Sequence, residues 1–214
     1  MPAPLAARAR TSAITVLFAA VVMACSDQRL PTTPLPIAGE AAAGSASRAS
    51  TMSGPAPTKQ QAQYEIDFMT DMIDHHMMAI MMSQLCLQKA VHEELRTLCA
   101  QIIAAQQAEI AQMQSWLQAW YGISYQPEMK PGAMQQMERL AALSPTEFEI
   151  EFMKRLIRHH AKAVREGEHC LDKAYHPELI QMCQDIIQAQ RQEIDLMQSW
   201  LCAWYGICNY YSGL

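Results

Sequence analysis

The chain contains two copies of one segment, and this duplication restricts its fold more than any other feature of the sequence. Residues Ile66 to Ile123 align without a gap on Ile150 to Ile207, and about half of the aligned positions are identical. A repeat of this kind is one supersecondary unit that buries its apolar face only against a neighbouring unit. The two copies should therefore share one local structure and pack against each other.

Each copy has two long stretches of helical periodicity that are poor in glycine and proline. A short break, "AVHEEL" in the first copy and "AYHPEL" in the second, separates them. Pro177 suits the first turn of the helix after the break, and Gly122 and Gly206 suit its end. Each copy is thus predicted to be a helical hairpin, over residues 63–123 and 145–208, which gives four long helices in total.

The segment 124–144 connects the hairpins and should include a short helix from about Met134 to Leu143. The sequence "SPTE", which begins at Ser144, has the capping-box pattern with proline at the first helical position. The third long helix is therefore predicted to begin there, and residues 209–214 remain as a C-terminal tail.

The N-terminal sequence indicates export. Positively charged residues precede an apolar run, Ala13 to Ala24, that is too short to span a bilayer as a helix and is typical of a signal peptide over residues 1–25. "VMAC" resembles a bacterial lipobox, in which Cys25 is acylated and anchors the protein to the membrane; simple cleavage is the alternative. Residues 26–62 are rich in proline, alanine, serine and glycine and are predicted to be a disordered linker. The net charge of -5 makes nucleic acid an unfavourable partner.

The cysteines predict disulfide bonds. The chain has 7 cysteines, and an even number remains when Cys25 is set aside. In an exported protein this favours bridges. Their positions on either side of each hairpin turn and around the last helix end suggest Cys86 with Cys99, Cys170 with Cys183, and Cys202 with Cys208. Thiolate ligation of a metal is the mutually exclusive alternative.

A bridge between Cys86 and Cys99 would set the register of the hairpin, because antiparallel residues at equal distances from the turn lie at the same height. The same argument applies to the second copy. The further pairs at the same height are Met72 with Met113, His76 with Glu109, Leu156 with Met197, and His160 with Glu193.

The adjacent histidines should point into the protein. At 3.6 residues per turn, His75 lies on the apolar stripe of its helix, His76 lies beside that stripe, and Glu109 lies on the apolar stripe of the partner helix. A buried carboxylate is costly unless it is paired or binds a ligand. Two interpretations remain open: a buried His-Glu hydrogen bond with methionines as gap-fillers, or a metal site. Imidazole and thioether together suit copper ions.

Three other methionines, Met77, Met78 and Met81, are predicted to lie on the opposite, solvated face of the helix. The second copy has charged residues, Lys162 and Arg165, at two of these positions. Exposed methionines could form a contact patch for another chain or a surface site for Cu(I) or Ag(I).

One further pattern bears on catalysis. "EGEH", from Glu166 to His169, has the Glu-x-x-His spacing that di-iron bundles use on two helices, so a ferritin-type di-iron oxidase that uses Glu166 or Glu193 is one alternative. The sequence has no nucleophile arrangement, phosphate-binding glycine loop or His-Glu-x-x-His motif. An enzymatic function therefore has little support.

The sequence from Gln63 to Ile207 resembles the bacterial family known as domain of unknown function 305. The resemblance is carried in the first copy by Met72-Ile73, His75-His76, Ala79, Met82, Glu94-Leu95, Ile102-Ile103, Gln106, Glu109-Ile110 and Met113. In the second copy it is carried by His159-His160, Ala163, Glu178-Leu179, Ile186-Ile187, Gln190, Glu193-Ile194 and Met197. It implies an exported, ferritin-like helical bundle, and some relatives are associated with copper. It also implies that Met72, Met82 and Met113 join the histidines as ligands. Leu156 and Glu166 depart from the pattern, so the first hairpin should do most of the binding.

The combined expectation is an all-α, ferritin-like four-helix bundle made of two repeated hairpins. It would be a periplasmic, lipid-anchored protein that binds copper for sequestration or delivery. The alternative is a structural or partner-binding bundle without metal. Since the hairpins are nearly interchangeable, exchange between two chains would give a homodimer. The candidate metal ligands are Met72, His75, His76, Met82, Glu109, Met113, His159, His160, Glu193 and Met197.

Overall fold

The computed structural model describes residues 54–213, and this part of the chain is helical. Its five helices are α1 (Lys59–Lys89), α2 (Glu93–Tyr121), α3 (Ala133–Ala141), α4 (Pro145–Lys173) and α5 (Pro177–Tyr205). No strand occurs between residues 54 and 213, so the all-α prediction is confirmed. None of the helices in this range has the length and apolar character needed to cross a membrane. The expected signal peptide and Cys25 lie outside the described residues.

The helix ends follow the local signals in the sequence. The Ser144 N–H donates a hydrogen bond to Glu147 Oε2 at 3.2 Å, and α4 begins at Pro145 as predicted. Gly122 and Gly206 end α2 and α5 with a left-handed φ of 67° each. At these two positions glycine avoids the steric strain that a side chain would cause.

Two helix starts differ slightly from the predicted bounds. α1 begins at Lys59, inside the segment expected to be linker, because Thr58 Oγ1 accepts a hydrogen bond from the Gln61 N–H at 3.1 Å and caps the helix. α3 begins at Ala133, after Gly132, which has a φ of 82°.

The three expected disulfides are present, Cys86–Cys99, Cys170–Cys183 and Cys202–Cys208. The alternative of thiolate metal ligands therefore does not apply to these cysteines. The first two bridges join neighbouring helices with Cα–Cα distances of 6.4 and 6.2 Å. They produce the predicted register, because His76 Nε2 lies 2.6 Å from Glu109 Oε2, and His160 Nε2 lies 2.8 Å from Glu193 Oε2.

The hairpins pack through α1 and α4, which contact each other, while α2 and α5 each pack on the helix of their own hairpin. One core cluster joins the second half of α1, including Met82, to the first half of α4, including Phe152. The other joins the first half of α1, including Met72, to the second half of α4, including Ala163. α1 and α4 are therefore antiparallel, and an approximate twofold axis relates the two copies.

A buried carboxylate holds the hairpins together near each end of the bundle. Glu149 on α4 accepts hydrogen bonds from the N–H groups of Val91 at 2.6 Å and His92 at 2.8 Å, and its other oxygen lies 2.8 Å from His92 Nδ1. The Tyr205 hydroxyl also donates to Glu149. The His92 ring stacks on Trp204, with ring centroids 3.9 Å apart. This arrangement, called here the Glu149 clamp, ties the turn of the first hairpin to the second hairpin.

The equivalent Glu65 clamp ties the turn of the second hairpin to the first. Glu65 accepts hydrogen bonds from the N–H groups of Tyr175 at 2.7 Å and His176 at 2.8 Å, and its other oxygen lies 2.6 Å from His176 Nδ1. The Tyr121 hydroxyl donates to it at 2.5 Å, and the His176 ring stacks on Trp120. His92 and His176 thus occupy N-cap positions at the hairpin turns, and their side chains contact glutamates of the other copy.

Candidate metal centre

His75 and His159 meet at the centre of the bundle. They occupy equivalent positions in the two copies, on α1 and α4, and their rings stack with centroids 3.5 Å apart and planes 26° from parallel. Each hairpin carries one pair of adjacent histidines. The structure shows that the first histidines of the two pairs are in contact with each other.

Three of the four nitrogens of these rings are buried without a partner. Both ring nitrogens of His75 and Nδ1 of His159 are buried without a hydrogen bond. Burial, followed by the neighbouring histidines and Lys162, holds the pKa of both imidazoles well below the ordinary value. Both rings are therefore neutral near pH 7, and a neutral imidazole offers a lone pair to a metal ion. A buried, unpartnered polar atom is costly unless it has a role such as ligand binding.

The second histidines, His76 and His160, face glutamates in their own hairpins. Both histidine side chains are fully buried, whereas those of Glu109 and Glu193 are 18% and 13% exposed. His76 and Glu109 are hydrogen-bonded, whereas His160 and Glu193 are within ion-pair distance but are not oriented for a hydrogen bond. The Nδ1 atoms of both histidines are buried without a partner.

The four imidazoles form one group across the hairpins, called here the histidine cluster. Within each copy, the ring centroids of the adjacent histidines are 6.3 Å apart (His75 and His76) and 6.1 Å apart (His159 and His160).

A cavity of about 390 Å³ lies beside the stacked pair. Its wall includes both His75 and His159, together with methionines from α1, the connector and α3, and it is called here the thioether cavity. The methionines are Met78, Met82, Met129 and Met137. Met129 and Met137 are not among the ligands predicted from sequence, although the recurrence of methionines in "MKPGAMQQM" is a signal that could have found them.

A second, smaller cavity of about 130 Å³ also reaches His75. Its lining includes Met72 and three carboxylates, Asp67, Asp71 and Glu166, and it is called here the acidic cavity. His75 therefore borders two spaces of different chemical character.

The remaining candidate ligands are distributed over the bundle. Met72 and Met113 lie in one core cluster, and Met82 and Met197 in the other. Between residues 54 and 213 no group of three or more histidine, cysteine, aspartate or glutamate side chains is arranged to hold a metal ion. Of the ten candidate residues, the structure brings His75, His159 and Met82 to one cavity.

The prediction of a solvated methionine face is wrong for Met77 and Met78. Met77 packs against one core cluster and Met78 against the other, and Met81 is partly buried. The reason is the connector, which folds back over α1. The Tyr125 hydroxyl lies 3.0 Å from both oxygens of Asp74, and the Glu128 N–H donates to the same carboxylate at 2.7 Å.

The single Glu-x-x-His pattern does not point into the bundle. Glu166 and His169 are exposed on α4, whereas the ligands of a di-iron bundle project inward from facing helices. The structure therefore offers no support for the di-iron alternative in this part of the chain.

Comparisons with known proteins identify the fold and the family. The model of the family named domain of unknown function, DUF305, matches residues 65–201. The structure is similar to CopM in its Cu(I)-bound form, with 33% identity, a TM-score of 0.60, and coverage of 66% of this chain and 98% of that chain. CopM has also been solved in Ag-bound, Cu(II)-bound and apo forms.

A DUF305 fragment from Deinococcus radiodurans has 25% identity and a TM-score of 0.59, and the match covers 69% of this chain and 97% of the fragment. The curated proteins gave no match. The family model covers more than half of the chain and both hairpins. The chain therefore belongs to the DUF305 family.

Proposed function

We propose that this protein is an exported copper-binding protein that sequesters or delivers the ion in the periplasm. The observation that carries the proposal is the stacked pair of His75 and His159, three of whose four ring nitrogens are buried without partners beside a cavity lined by methionines. The similarity to CopM, which has been solved with Cu(I) and with Cu(II), supports the same ligand.

The chemistry of the donors fits copper. Imidazole suits copper ions and thioethers favour Cu(I), whereas calcium and magnesium require several oxygen ligands. His75, His159 and Met82 border one cavity and form the core of the proposed ligand set. Glu109 orients His76 through a hydrogen bond, as carboxylates do for histidine ligands of metals, and Glu193 Oε2 lies 2.8 Å from His160 Nε2. Met72 and Met113 in one core cluster and Met197 in the other remain further candidate sulfur donors.

Binding of a cargo ion fits the site better than catalysis. The glutamates that face His76 and His160 are each committed to one histidine, and the Asp74 carboxylate on the wall of the thioether cavity already accepts hydrogen bonds from Tyr125 and Glu128. Export is supported by the three disulfides, which form in oxidising compartments. We also propose that residues 1–25 contain a signal peptide and that acylation of Cys25 anchors the protein at the periplasmic face of a membrane.

The test is a titration of the protein without residues 1–25 with Cu(I) in the presence of a competing chelator. The variant His75→Ala/His76→Ala should bind at least about tenfold more weakly, because it removes two imidazoles of the cluster. His169→Ala is the matched control, since His169 is exposed on α4, and it should bind as the wild type does.

Two results would contradict the proposal. The wild type could fail to bind copper, or the double variant could lose stability while its copper affinity stays unchanged. The second result would support the alternative of a structural bundle, in which His76 and Glu109 form a buried polar pair.

A further inference from the structure

We propose that the thioether cavity is a selective site for a soft monovalent ion, Cu(I) or Ag(I), and that the cations on its wall exclude divalent ions. The inference rests on the proposed function, because the cavity shares His75 and His159 with the proposed copper site. It goes further by naming the oxidation state, the additional ligands and the residues that set the selectivity.

The methionines reach the cavity from three parts of the fold. Met78 and Met82 come from α1, Met129 from the connector and Met137 from α3. Their accessibility decreases from the mouth to the floor: Met129 is 36% exposed, Met137 and Met78 are partly buried, and Met82 is 6% exposed. Thioether donors therefore extend from solvent to the buried histidines. Soft, neutral thioethers select Cu(I) and related ions over hard cations.

The charges around the cavity oppose a divalent ion. Lys130 on the connector and Arg155, Arg158 and Lys162 on α4 line the space, against the carboxylates of Asp74 and Glu128. The Asp74 carboxylate is already occupied by the Tyr125 hydroxyl and the Glu128 N–H. Arg155 is partly compensated by Glu151, whose Oε1 lies 2.7 Å from its Nε. The net charge of the side chains that line the cavity is therefore positive. A bound cation must be held by donation from sulfur and nitrogen lone pairs and not by electrostatic attraction.

The acidic cavity provides an internal comparison, because its walls carry the equivalent positions of the other copy. Glu166 in the acidic cavity occupies the position of Met82, and Asp71 occupies the position of Arg155. At these two pairs of equivalent positions, the thioether cavity has a thioether and a guanidinium, whereas the acidic cavity has two carboxylates. This difference assigns soft-ion chemistry to the thioether cavity alone.

The first test locates the ion by NMR of the methionine methyl groups in protein labelled with ¹³C-methyl methionine. Ag(I) serves as a diamagnetic probe for Cu(I). We expect the methyl resonances of Met78, Met82, Met129 and Met137 to shift on addition of Ag(I). The resonance of Met153, which is buried in the core and does not line the cavity, should not move. Shifts confined to Met72 and Met113, or no shifts at all, would overturn the assignment.

The second test removes the two sulfurs that reach the cavity from the connector and from α3. Met129→Leu/Met137→Leu preserves side-chain volume closely enough to keep the packing. It should weaken Ag(I) binding by at least about tenfold. Met134→Leu is the matched control, because Met134 is 56% exposed on α3 and does not line the cavity, and it should bind as the wild type does.

The outcomes separate the inference from the proposed function. If the wild type binds Cu(I) through His75 and His76, but the leucine variant binds as tightly as the wild type, the copper function stands and the thioether site is wrong. If the wild type binds neither Cu(I) nor Ag(I), both fail. Circular dichroism of each variant confirms that the bundle is intact before the comparison is made.

The third test measures selectivity. A unit charge about 8 Å from the ion in water changes the affinity of a monovalent ion by roughly twofold and that of a divalent ion by roughly fivefold. Arg158→Gln removes such a charge from the wall of the thioether cavity and leaves the acidic cavity unchanged, because Lys162 lines both cavities and Arg158 lines only the first, so Cu(II) affinity should increase more than Ag(I) affinity. An equal change for both ions, or no change for either, would overturn the role of the cations.

Discussion

Removal of the Glu149 carboxylate should destabilise the bundle far more than removal of a surface carboxylate on the same helix. The Glu149 side chain is fully buried, and it accepts hydrogen bonds from the N–H groups of Val91 and His92. Glu149→Ala leaves these donors and the His92 imidazole without an acceptor. Each buried donor left without a partner costs about 1–3 kcal/mol, and two backbone N–H groups lose their acceptor here. We therefore expect the free energy of unfolding to fall by about 4 kcal/mol.

The assay is equilibrium unfolding in urea, followed by circular dichroism, with Glu151→Ala as the matched control. Glu151 lies on the same helix and pairs with Arg155, and its side chain is 35% exposed. The control should cost less than about 1 kcal/mol. If the free energies of unfolding of Glu149→Ala and Glu151→Ala differ by less than about 1 kcal/mol, the Glu149 clamp does not hold the hairpins together.

Three further predictions concern pH and the disulfides. Burial would raise the pKa of Glu149, but the hydrogen bonds from Tyr205, His92 and Val91 lower this pKa below the ordinary value of 4.5. The contribution of Glu149 to stability is therefore present above pH 4.5 and lost as the pH falls through the folded-state pKa. Glu149→Gln should remove this pH-dependent loss of stability, as measured by urea unfolding across that range. The depressed pKa of His75 and of His159 means that the metal-free protein should lose stability as the pH falls below 6.5, and His75→Phe/His159→Phe should reduce that loss in the same assay. Cys86→Ala/Cys99→Ala opens a cross-link with a separation of 13 residues and should cost about 3 kcal/mol, measured by thermal unfolding against Cys202→Ala/Cys208→Ala, where the separation is 6 residues and the cost should be smaller.

The secondary structure and the register within each hairpin could be predicted because their determinants are local. The cysteines on either side of a turn specify which residues face each other, and the same rule places His76 opposite Glu109. The capping box at Ser144 and the glycines at the helix ends give the helix bounds within a few residues.

The contact between the hairpins could not be predicted in the same way. Periodicity indicates which side of α1 is buried, but it does not say which helix covers each part of that side. The stacking of His75 on His159 depends on where α1 and α4 cross, and the clamps depend on Glu65 and Glu149. Both glutamates look like ordinary polar residues near a helix start, just outside the aligned repeat.

The thioether cavity was missed for a related reason. Met129 and Met137 lie in the connector, which the sequence analysis treated as a link between hairpins. Because a connector is expected to be solvated, the recurrence of methionines within it does not by itself indicate that they line a cavity. The fold of the connector over α1, fixed through Asp74, brings these residues beside the histidines and also covers the methionine face that we expected to be exposed.

The approximate twofold axis between the stacked histidines has a consequence for how the two copies could diverge. In a symmetric dimer of identical hairpins, each substitution is made on both sides of the axis at once, so both flanks of the histidine pair must have the same chemistry. Joining the hairpins in one polypeptide removes that restriction. A glutamate can then replace a methionine on one flank while the other flank keeps its sulfur, as Glu166 and Met82 show. Covalent fusion thus allows a pseudosymmetric scaffold to hold a centre with two unlike faces.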